Sequence, residues 1–427
     1  MAIPLEILFP LLLIVVLLTL GVPVLYAIGL GVIALLQVTG SFGLIFFGDG
    51  LYSGLDSFAL IAIPLFILTG DVVVESGTSE KLVTFADKVV GGFKSGVGSA
   101  TVLGCGLFAS ISGSNAADAA AIGRISHGSL KEYGYPGDYA GALIASGATT
   151  GILIPPSIAY IIIGVTIGIS ASELFLAAVI PGLMILLGIL LTNVYINRRR
   201  SYERGHDFAS PREMLDAAWE AREGLLIPII ILGGIYSGVF TPTESAAAAV
   251  AVTVAIGVFR RTITLGDYQT LFERSAVVNG TISPIIAVAL ALSQSLNSVG
   301  MPDLIVSLFA GTAGNFYVAV LMMFAVFILA GAVMETTPNI LLLAPLLFPV
   351  AQEIGMSSVH FAVFLNSALG VGFITPPFGM NLYVMSGVTD ESVLPIAKQV
   401  IPFMTTLMGL VLLIGFVPEI STILTGS

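Results

Sequence analysis

Charge is scarce in this sequence. Asp, Glu, Lys and Arg make up 10% of its 427 residues, whereas a soluble domain carries about 25%. The chain cannot coat a water-facing surface, and a soluble enzyme is excluded. Cysteine occurs once and histidine three times, which rules out a disulfide within the chain and leaves no haem, iron–sulfur or zinc constellation. Basic residues are outnumbered, giving a formal net charge of −11. That balance argues against nucleic acid as a partner and against a polybasic membrane-surface patch. The sequence lacks a Gly-x-x-x-x-Gly-Lys-Ser/Thr loop, so no ATP-driven step comes from this chain and no ATPase is implied. The N-terminus has no basic n-region, and its first apolar run, Pro4 to Leu20, is too long for a signal-peptide core; no cleavable signal is expected.

What the sequence has in abundance is apolar residues: 56% are hydrophobic and the mean hydropathy is +1.04. Apolar runs of roughly 20 residues recur from end to end, the length of a bilayer-spanning helix. The predicted fold class is an all-α polytopic membrane protein. Its longest polar interruption, Arg198 to Glu223, separates two halves that repeat. The segment Gly151-Ile-Leu-Ile-Pro155-Pro156 recurs as Gly372-Phe-Ile-Thr-Pro376-Pro377, an offset of 221 residues (372 − 151). The same offset carries Ser146 onto Ser367 and Ile180-Pro181 onto Ile401-Pro402. It also carries Lys81-Leu82-Val83 onto Pro302-Asp303-Leu304, each opening a short amphipathic stretch.

Basic loops mark the cytoplasmic side. Residues 81–131 hold Lys81, Lys88, Lys94, Arg124 and Lys131, while the equivalent 302–352 hold no Lys or Arg. The two stretches are expected on opposite faces, so the repeats are inverted. Further spans are expected at about 58–76, 137–168, 172–197, 225–240, 244–259, 275–297, 358–388 and 391–418, which puts Arg198, Arg199, Arg200, Arg260 and Arg261 in the cytoplasm. The offset maps 225–259 onto 4–38, two spans broken at Gly21-Val22-Pro23, and both termini are expected to be periplasmic. In the polar connector, Ser210-Pro211-Arg212-Glu213 has the form of a capping box with Pro at the first helical position. It starts a helix carrying Met214, Leu215, Ala218, Trp219 and Arg222 at helical spacing, either an interfacial linker or a brace.

Two apolar runs have polar midpoints: 97–127 at Ser110-Ile-Ser112-Gly113-Ser114-Asn115, and 315–350 at Glu335-Thr336-Thr337-Pro338-Asn339. Each suits two half-length helices meeting as a re-entrant hairpin. Non-helical backbone at membrane depth is tolerated only against protein or a hydrated cavity, and helix breaks in matching places of inverted repeats point to a transport site. Ser114 or Asn115 is expected to cap the first returning half-helix, with Asp118 near its third position. Thr337 is expected to cap the second, ahead of Pro338. Free N–H groups at such ends favour an anion. The candidate substrate-binding residues are therefore Ser112, Gly113, Ser114, Asn115, Thr336, Thr337 and Pro338.

The two Pro-Pro pairs free carbonyls one turn earlier in their helices, and oxygen ligands suit Na+, a hard cation. One expected Na+ site takes Ser112, Ser114, Asn115, Gly147 and Gly151; the second takes Glu335, Thr336, Thr337, Asn366, Gly370 and Gly372. The plainer alternatives are that small residues serve close helix packing and that the prolines are simple kinks. Asp118 and Glu335 are intramembrane carboxylates, functional candidates by default, although Asp118 also suits a helix cap. Arg124 reads as a snorkelling residue. Tyr160, Asn381, Tyr383, Gln294 and Asn297 are lesser lining candidates, whereas His127, His206 and His360 read as structural and Cys105 as packing. No residue is expected to be catalytic.

The paired Gly-x-x-x-Pro-Pro segments, the Ser-Gly-Ser-Asn hairpin and the Thr-Thr-Pro-Asn hairpin together resemble the large membrane subunit of TRAP transporters, the tripartite ATP-independent periplasmic systems, over essentially the whole chain. Among these it is similar to the sialic-acid type with separate small and large membrane subunits. The resemblance implies an elevator mechanism in the bacterial inner membrane, with hairpins 97–127 and 315–350 and broken helices 137–168 and 358–388 moving past scaffold helices 4–38 and 225–259. Divided along the chain, 1–57 and 225–274 would be scaffold, 58–197 and 275–427 the moving halves, and 198–224 the connector. It further implies at least two coupling Na+, a separate small four-helix membrane subunit, and a periplasmic binding protein that delivers the substrate. The energetics agree: a carboxylate entering a negative interior opposes about 2.3 kcal/mol per charge per 100 mV, and two or more Na+ reverse that sign. No Arg sits obviously at mid-membrane, so anion binding would rest on half-helix ends and Na+ unless Arg124 reaches inward. Competing readings are a stand-alone divalent-anion/Na+ symporter, a channel, and a proton-pumping subunit of a redox complex. The last is disfavoured by the scarcity of intramembrane Lys, His and Glu.

Overall fold

A computed structural model describes residues 4–40, 43–203, 208–302, 304 and 315–426. His206 and Asp303 lie outside them. Among the described residues the chain is helix, turn and loop, with no strand. Among the described residues six helices are long and apolar enough to cross a bilayer: Phe58–Glu75, Ala171–Arg200, Pro242–Arg260, Gly266–Ser298, Phe316–Val333 and Val393–Phe416. Shorter apolar helices include Leu5–Thr19, Val24–Thr39, Gly96–Ser112 and Ser358–Gly372.

The repeat is visible in the helix starts. Gly96–Ser112, Asn115–Glu132, Gly137–Gly147, Ile158–Ile167 and Ala171–Arg200 have as counterparts Phe316–Val333, Thr336–Glu353, Ser358–Gly372, Met380–Val388 and Val393–Phe416. Each start matches the 221-residue offset to within one residue. One pair differs. Leu265–Ser298 is a single helix, whereas its counterpart is divided at Asp56-Ser57 into Leu44–Leu55 and a 3-10 turn, Phe58–Ile61, that leads into Ala62–Glu75. The helix at 44–55 was not anticipated.

Both expected hairpins are helix–turn–helix units. In the first, Gly113 closes the arm Gly96–Ser112 in the left-handed region (φ 62°). Glycine adopts that conformation at no steric cost, and a Cβ there would lie 2.9 Å from the Pro156 carbonyl oxygen. Ser114 then caps Asn115–Glu132, its hydroxyl accepting from the Ala117 amide at 3.5 Å. Nearly every residue of Gly96–Ser112 is buried in protein, the setting in which interrupted helix survives at membrane depth. In the second hairpin the capping position is Glu335, not Thr337, and the returning helix Thr336–Glu353 begins two residues earlier than expected. The reason lies in Asn339, whose amide donates to the Met334 and Ala330 carbonyls and closes the end of Phe316–Val333. That first arm is itself long enough to cross a bilayer, so length alone does not make this hairpin re-entrant.

The two broken helices part at their prolines, which lack an N–H and disfavour helical geometry in the preceding residue. Gly137–Gly147 passes through a 3-10 turn, Ala148–Ile152, and the cis Pro155-Pro156 bond before Ile158–Ile167. Ser358–Gly372 passes through the cis Pro376-Pro377 bond before Met380–Val388. The segment before each break packs on its own hairpin; the segment after it crosses to the returning arm of the other hairpin. Asparagines fasten this exchange. Asn366 Nδ2 donates to the Ile152 carbonyl at 2.6 Å, Asn381 Nδ2 to the Ala145 carbonyl at 3.0 Å, and Asn115 Nδ2 to Asn381 Oδ1 at 2.9 Å.

Phe58–Glu75 packs on Pro242–Arg260 and Leu265–Ser298, and the latter packs extensively on Leu44–Leu55 and Val24–Thr39. Residues 58–75 and 275–298 thus pack on helices of the segments 1–57 and 225–274, and on each other. The structural histidines are hydrogen-bonded to backbone, His127 to the Gly137 carbonyl at 3.1 Å and His360 to that of Ile414 at 2.9 Å.

The connector helix is Pro211–Glu220, with a complete capping box between Ser210 and Glu213. Its buried residue is Ala217, while Leu215 and Trp219 are exposed. The Ser210 backbone and hydroxyl donate to Glu213 and hold its carboxyl below the usual range. Because the folded value is lowered, the contribution of this cap is complete above the unfolded value of about 4.3 and is lost as pH falls through the lowered folded value. Trp219 is the only tryptophan in the chain, so its fluorescence reports on this helix. Ser210→Ala is expected to weaken the helix by about 1 kcal/mol. At pH 7, a fall in Trp219 anisotropy checks this; unchanged anisotropy would contradict it.

Candidate functional site

The two hairpin tips share one cavity of about 300 Å³. Ser112, Gly113, Ser114 and Asn115 line it from the first tip, and Glu335, Thr336 and Thr337 from the second. Of the seven candidate substrate-binding residues, Pro338 alone is not on this lining; it is buried within Thr336–Glu353. The N-termini of Asn115–Glu132 and Thr336–Glu353 both begin at the cavity, and their unpaired N–H groups make that end favourable to an anion.

The opposite wall is formed by Ile67, Gly70, Asp71 and Val74 of one long helix and by Arg274, Val278 and Ile282 of another. Gly70 brings the two walls close, since a Cβ there would lie 3.3 Å from Ser112 Cα. Arg124 also lines the cavity, one turn beyond Ala117, Ala120 and Ala121 on the same helical face. Its side chain is exposed to this space, so the snorkelling residue faces the same cavity as the hairpin tips. Arg274 Nη1 stands 4.0 Å from Asp71 Oδ1, with side-chain exposures of 60% and 24%. Asp71 Oδ2 is buried without a hydrogen-bond partner.

Sequence reasoning missed this pair. Asp71 was legible, being an ionisable group inside an apolar span. Arg274 was hidden because the expected span began at 275, whereas the helix begins at Leu265 and carries Arg274 into its third turn.

Among the first set of expected cation ligands, Gly151 meets the hairpin tip. A Cβ on Gly151 would lie 2.6 Å from Asp118 Oδ2 and 2.8 Å from the Ser114 carbonyl oxygen. Asp118 is fully buried; its Oδ1 accepts from the Ser112 hydroxyl and its Oδ2 has no hydrogen-bond partner. An unpaired buried carboxylate oxygen is costly, and a hard cation beside the Ser114 carbonyl would satisfy it. Gly147 is not at this point; it packs against Cys105 and Val102.

The second set is more dispersed. Gly372 meets the first arm of its own hairpin, its Cβ position lying 2.6 Å from Gly331 backbone atoms. Gly370 and Asn366 instead meet Ile152 of the other repeat. Asn366 Oδ1, Ser367 Oγ and the Tyr160 hydroxyl are buried without hydrogen-bond partners. Gln294 and Asn297 line a separate cavity of about 730 Å³ with Ser53, Ser57, Thr241 and Thr243, and Tyr383 lines one of about 340 Å³ that Glu335 also borders.

The family model of the tripartite ATP-independent periplasmic transporter DctM component matches residues 11–420. The C4-dicarboxylate TRAP transporter large permease protein DctM of Rhodobacter capsulatus is 32% identical over 424 residues, covering 96% of each chain. The sialic acid TRAP transporter large permease protein SiaM of Vibrio cholerae serotype O1 is also 32% identical, over 405 residues and 95% of each chain. The isethionate TRAP transporter permease protein DctMQ of Oleidesulfovibrio alaskensis is 30% identical over 410 residues; the match covers 96% of this chain and 65% of that longer relative. The crystal structure of the Alcanivorax borkumensis YdaH transporter is similar with a TM-score of 0.59 at 15% identity, covering 88% of each chain, a likeness of fold alone.

Proposed function

This chain belongs to the DctM family of tripartite ATP-independent periplasmic transporter components, and on that premise we propose that it carries out Na+-coupled uptake of an organic acid. It is a multi-pass membrane protein and a transporter permease rather than an enzyme. The substrate is an organic acid of the kind its relatives' names print, sialic acid or a C4-dicarboxylate; their equal identity to this chain does not separate the two. A periplasmic binding protein delivers it, and a small membrane subunit completes the complex in the bacterial inner membrane.

The observation that carries this reading is the shared cavity: two helix N-termini and a row of hydroxyl and amide groups line one space, while the unpaired Asp118 Oδ2 lies beside Gly151 next to the first tip. The acid binds at the tips, where N–H groups complement its charge. Na+ is co-transported cargo held near Asp118 Oδ2 and the Ser114 carbonyl, with a second ion toward Glu335, Thr336, Thr337 and Gly372. Elevator motion moves the hairpins and broken helices together past the long helices that face them. By the basic-loop rule, Asp71, Val74, Arg124 and Arg274 fall toward the cytoplasmic ends of their helices, which suits an inward-facing state.

Uptake of radiolabelled acids into proteoliposomes containing this chain and its small subunit tests the proposal. Uptake is expected to require a Na+ gradient, an interior-negative potential and the binding protein together. A sialic acid signal assigns that subtype, and a C4-dicarboxylate signal assigns the other. Uptake without any binding protein would overturn the tripartite reading in favour of a stand-alone symporter.

A further inference from the structure

We infer that Asp71 is a built-in competitor for the substrate's acid group, and that Arg274 is the residue for which the two compete. The inference rests on the proposal that an organic acid binds at the hairpin tips. Gly70 touches the first tip at Ser112, which puts Asp71 and its partner Arg274 on the wall directly facing the substrate end of the cavity. Their ion pair is loose: the N to O distance is 4.0 Å and the guanidinium is mostly exposed. Among the described residues neither side chain makes another side-chain hydrogen bond or ion pair, and Asp71 Oδ2 is buried with no hydrogen-bond partner. A pair built only for stability would close this distance and satisfy that oxygen. A pair built for exchange leaves both ends ready.

An arriving carboxylate offers Arg274 two oxygens in the planar geometry that a guanidinium prefers. When the acid leaves, Asp71 takes its place, so Arg274 never stands uncompensated and the acid is displaced instead of trapped. Both residues sit on helices that pack with the expected scaffold. The competition therefore arises only when the tips stand opposite them, which assigns the pair to release rather than capture. Arg124, on the moving hairpin, accompanies the acid without this competitor.

The two substitutions are expected to act in opposite directions, which a merely structural ion pair would not produce. The experiment is equilibrium binding of succinate and of N-acetylneuraminate, at saturating Na+, to the full chain with its small subunit in lipid nanodiscs. Asp71→Asn removes the competitor and is expected to tighten binding by up to about fivefold, the worth of an exposed ion pair. In uptake it is expected to lower kcat and KM together. Arg274→Gln is expected to weaken binding at least about tenfold, Arg274→Lys to recover part of the loss, and Asp71→Asn on the Arg274→Gln background to add nothing. Equal weakening by Asp71→Asn and Arg274→Gln, or no change in either, overturns the inference while leaving the transport reading in place. Failure of the unsubstituted complex to bind either acid overturns both.

Discussion

Replacing Gly151 by leucine is expected to reduce Na+-dependent uptake about 100-fold, the scale of loss when groups at a site are displaced by about 1 Å. The first atom of any side chain at 151 would stand 2.6 Å from Asp118 Oδ2 and 2.8 Å from both the carbon and the oxygen of the Ser114 carbonyl. Two of these neighbours are backbone at a helix N-terminus and cannot rotate away. The hairpin tip must therefore retreat from the break, and the oxygens proposed to hold Na+ separate. Gly372→Leu is expected to act likewise in the second repeat, because its Cβ position lies 2.6 Å from Gly331 backbone atoms. The check is initial uptake rate in proteoliposomes, with membrane insertion followed by size-exclusion of the solubilised protein. Normal uptake by both variants would remove the two breaks from the mechanism.

The second large effect is expected at Asp118. Changing it to asparagine keeps the shape and the bond from Ser112 but removes the charge. Two unit charges 4 Å apart interact by about 4 kcal/mol at an effective dielectric of 20. Even half of that corresponds to a loss of about thirtyfold in Na+ affinity. The measurement is the Na+ concentration for half-maximal uptake, expected to rise by at least about tenfold while maximal expression is kept. An unchanged Na+ dependence would mean that Asp118 only caps and packs, and that the first cation is held elsewhere. Ser112→Ala, which removes the hydroxyl bonded to Asp118, is expected to shift the dependence in the same direction by a smaller factor.

The architecture was largely legible because its signals are local. Pro-Pro pairs, Gly113 and the capping Ser114 interrupt helices by properties of single residues, and the 221-residue offset repeats them at the right places. The capping box at Ser210 and Glu213 was read correctly for the same reason. Other features depend on contacts between residues far apart in the sequence, for which no periodicity exists. Asn366 on Ile152, Asn381 on Ala145, and the crossing of each post-break helix to the other hairpin belong to this class. They explain why the expected second cation set spreads over two places. Leu44–Leu55 was missed because Gly48, Gly50 and Gly54 make it resemble a loop. Two of those glycines admit the neighbouring helix: Cβ positions at Gly50 and Gly54 would lie 2.9 Å and 3.0 Å from Ala291 and Ala287. In the site, the tip residues were read from polarity alone, whereas Asp71 and Arg274 needed the facing wall.

The central claim is that the acid is driven by Na+ through the cavity shared by the two hairpin tips. The most direct measurement starts with equal acid concentrations on both sides of proteoliposomes carrying the complete complex, and then imposes an inward Na+ gradient alone at clamped zero potential. The account predicts net accumulation of acid against its own developing gradient, and its abolition by Gly151→Leu. Acid that stays equilibrated under the Na+ gradient, in liposomes that still exchange labelled for unlabelled acid, would contradict it.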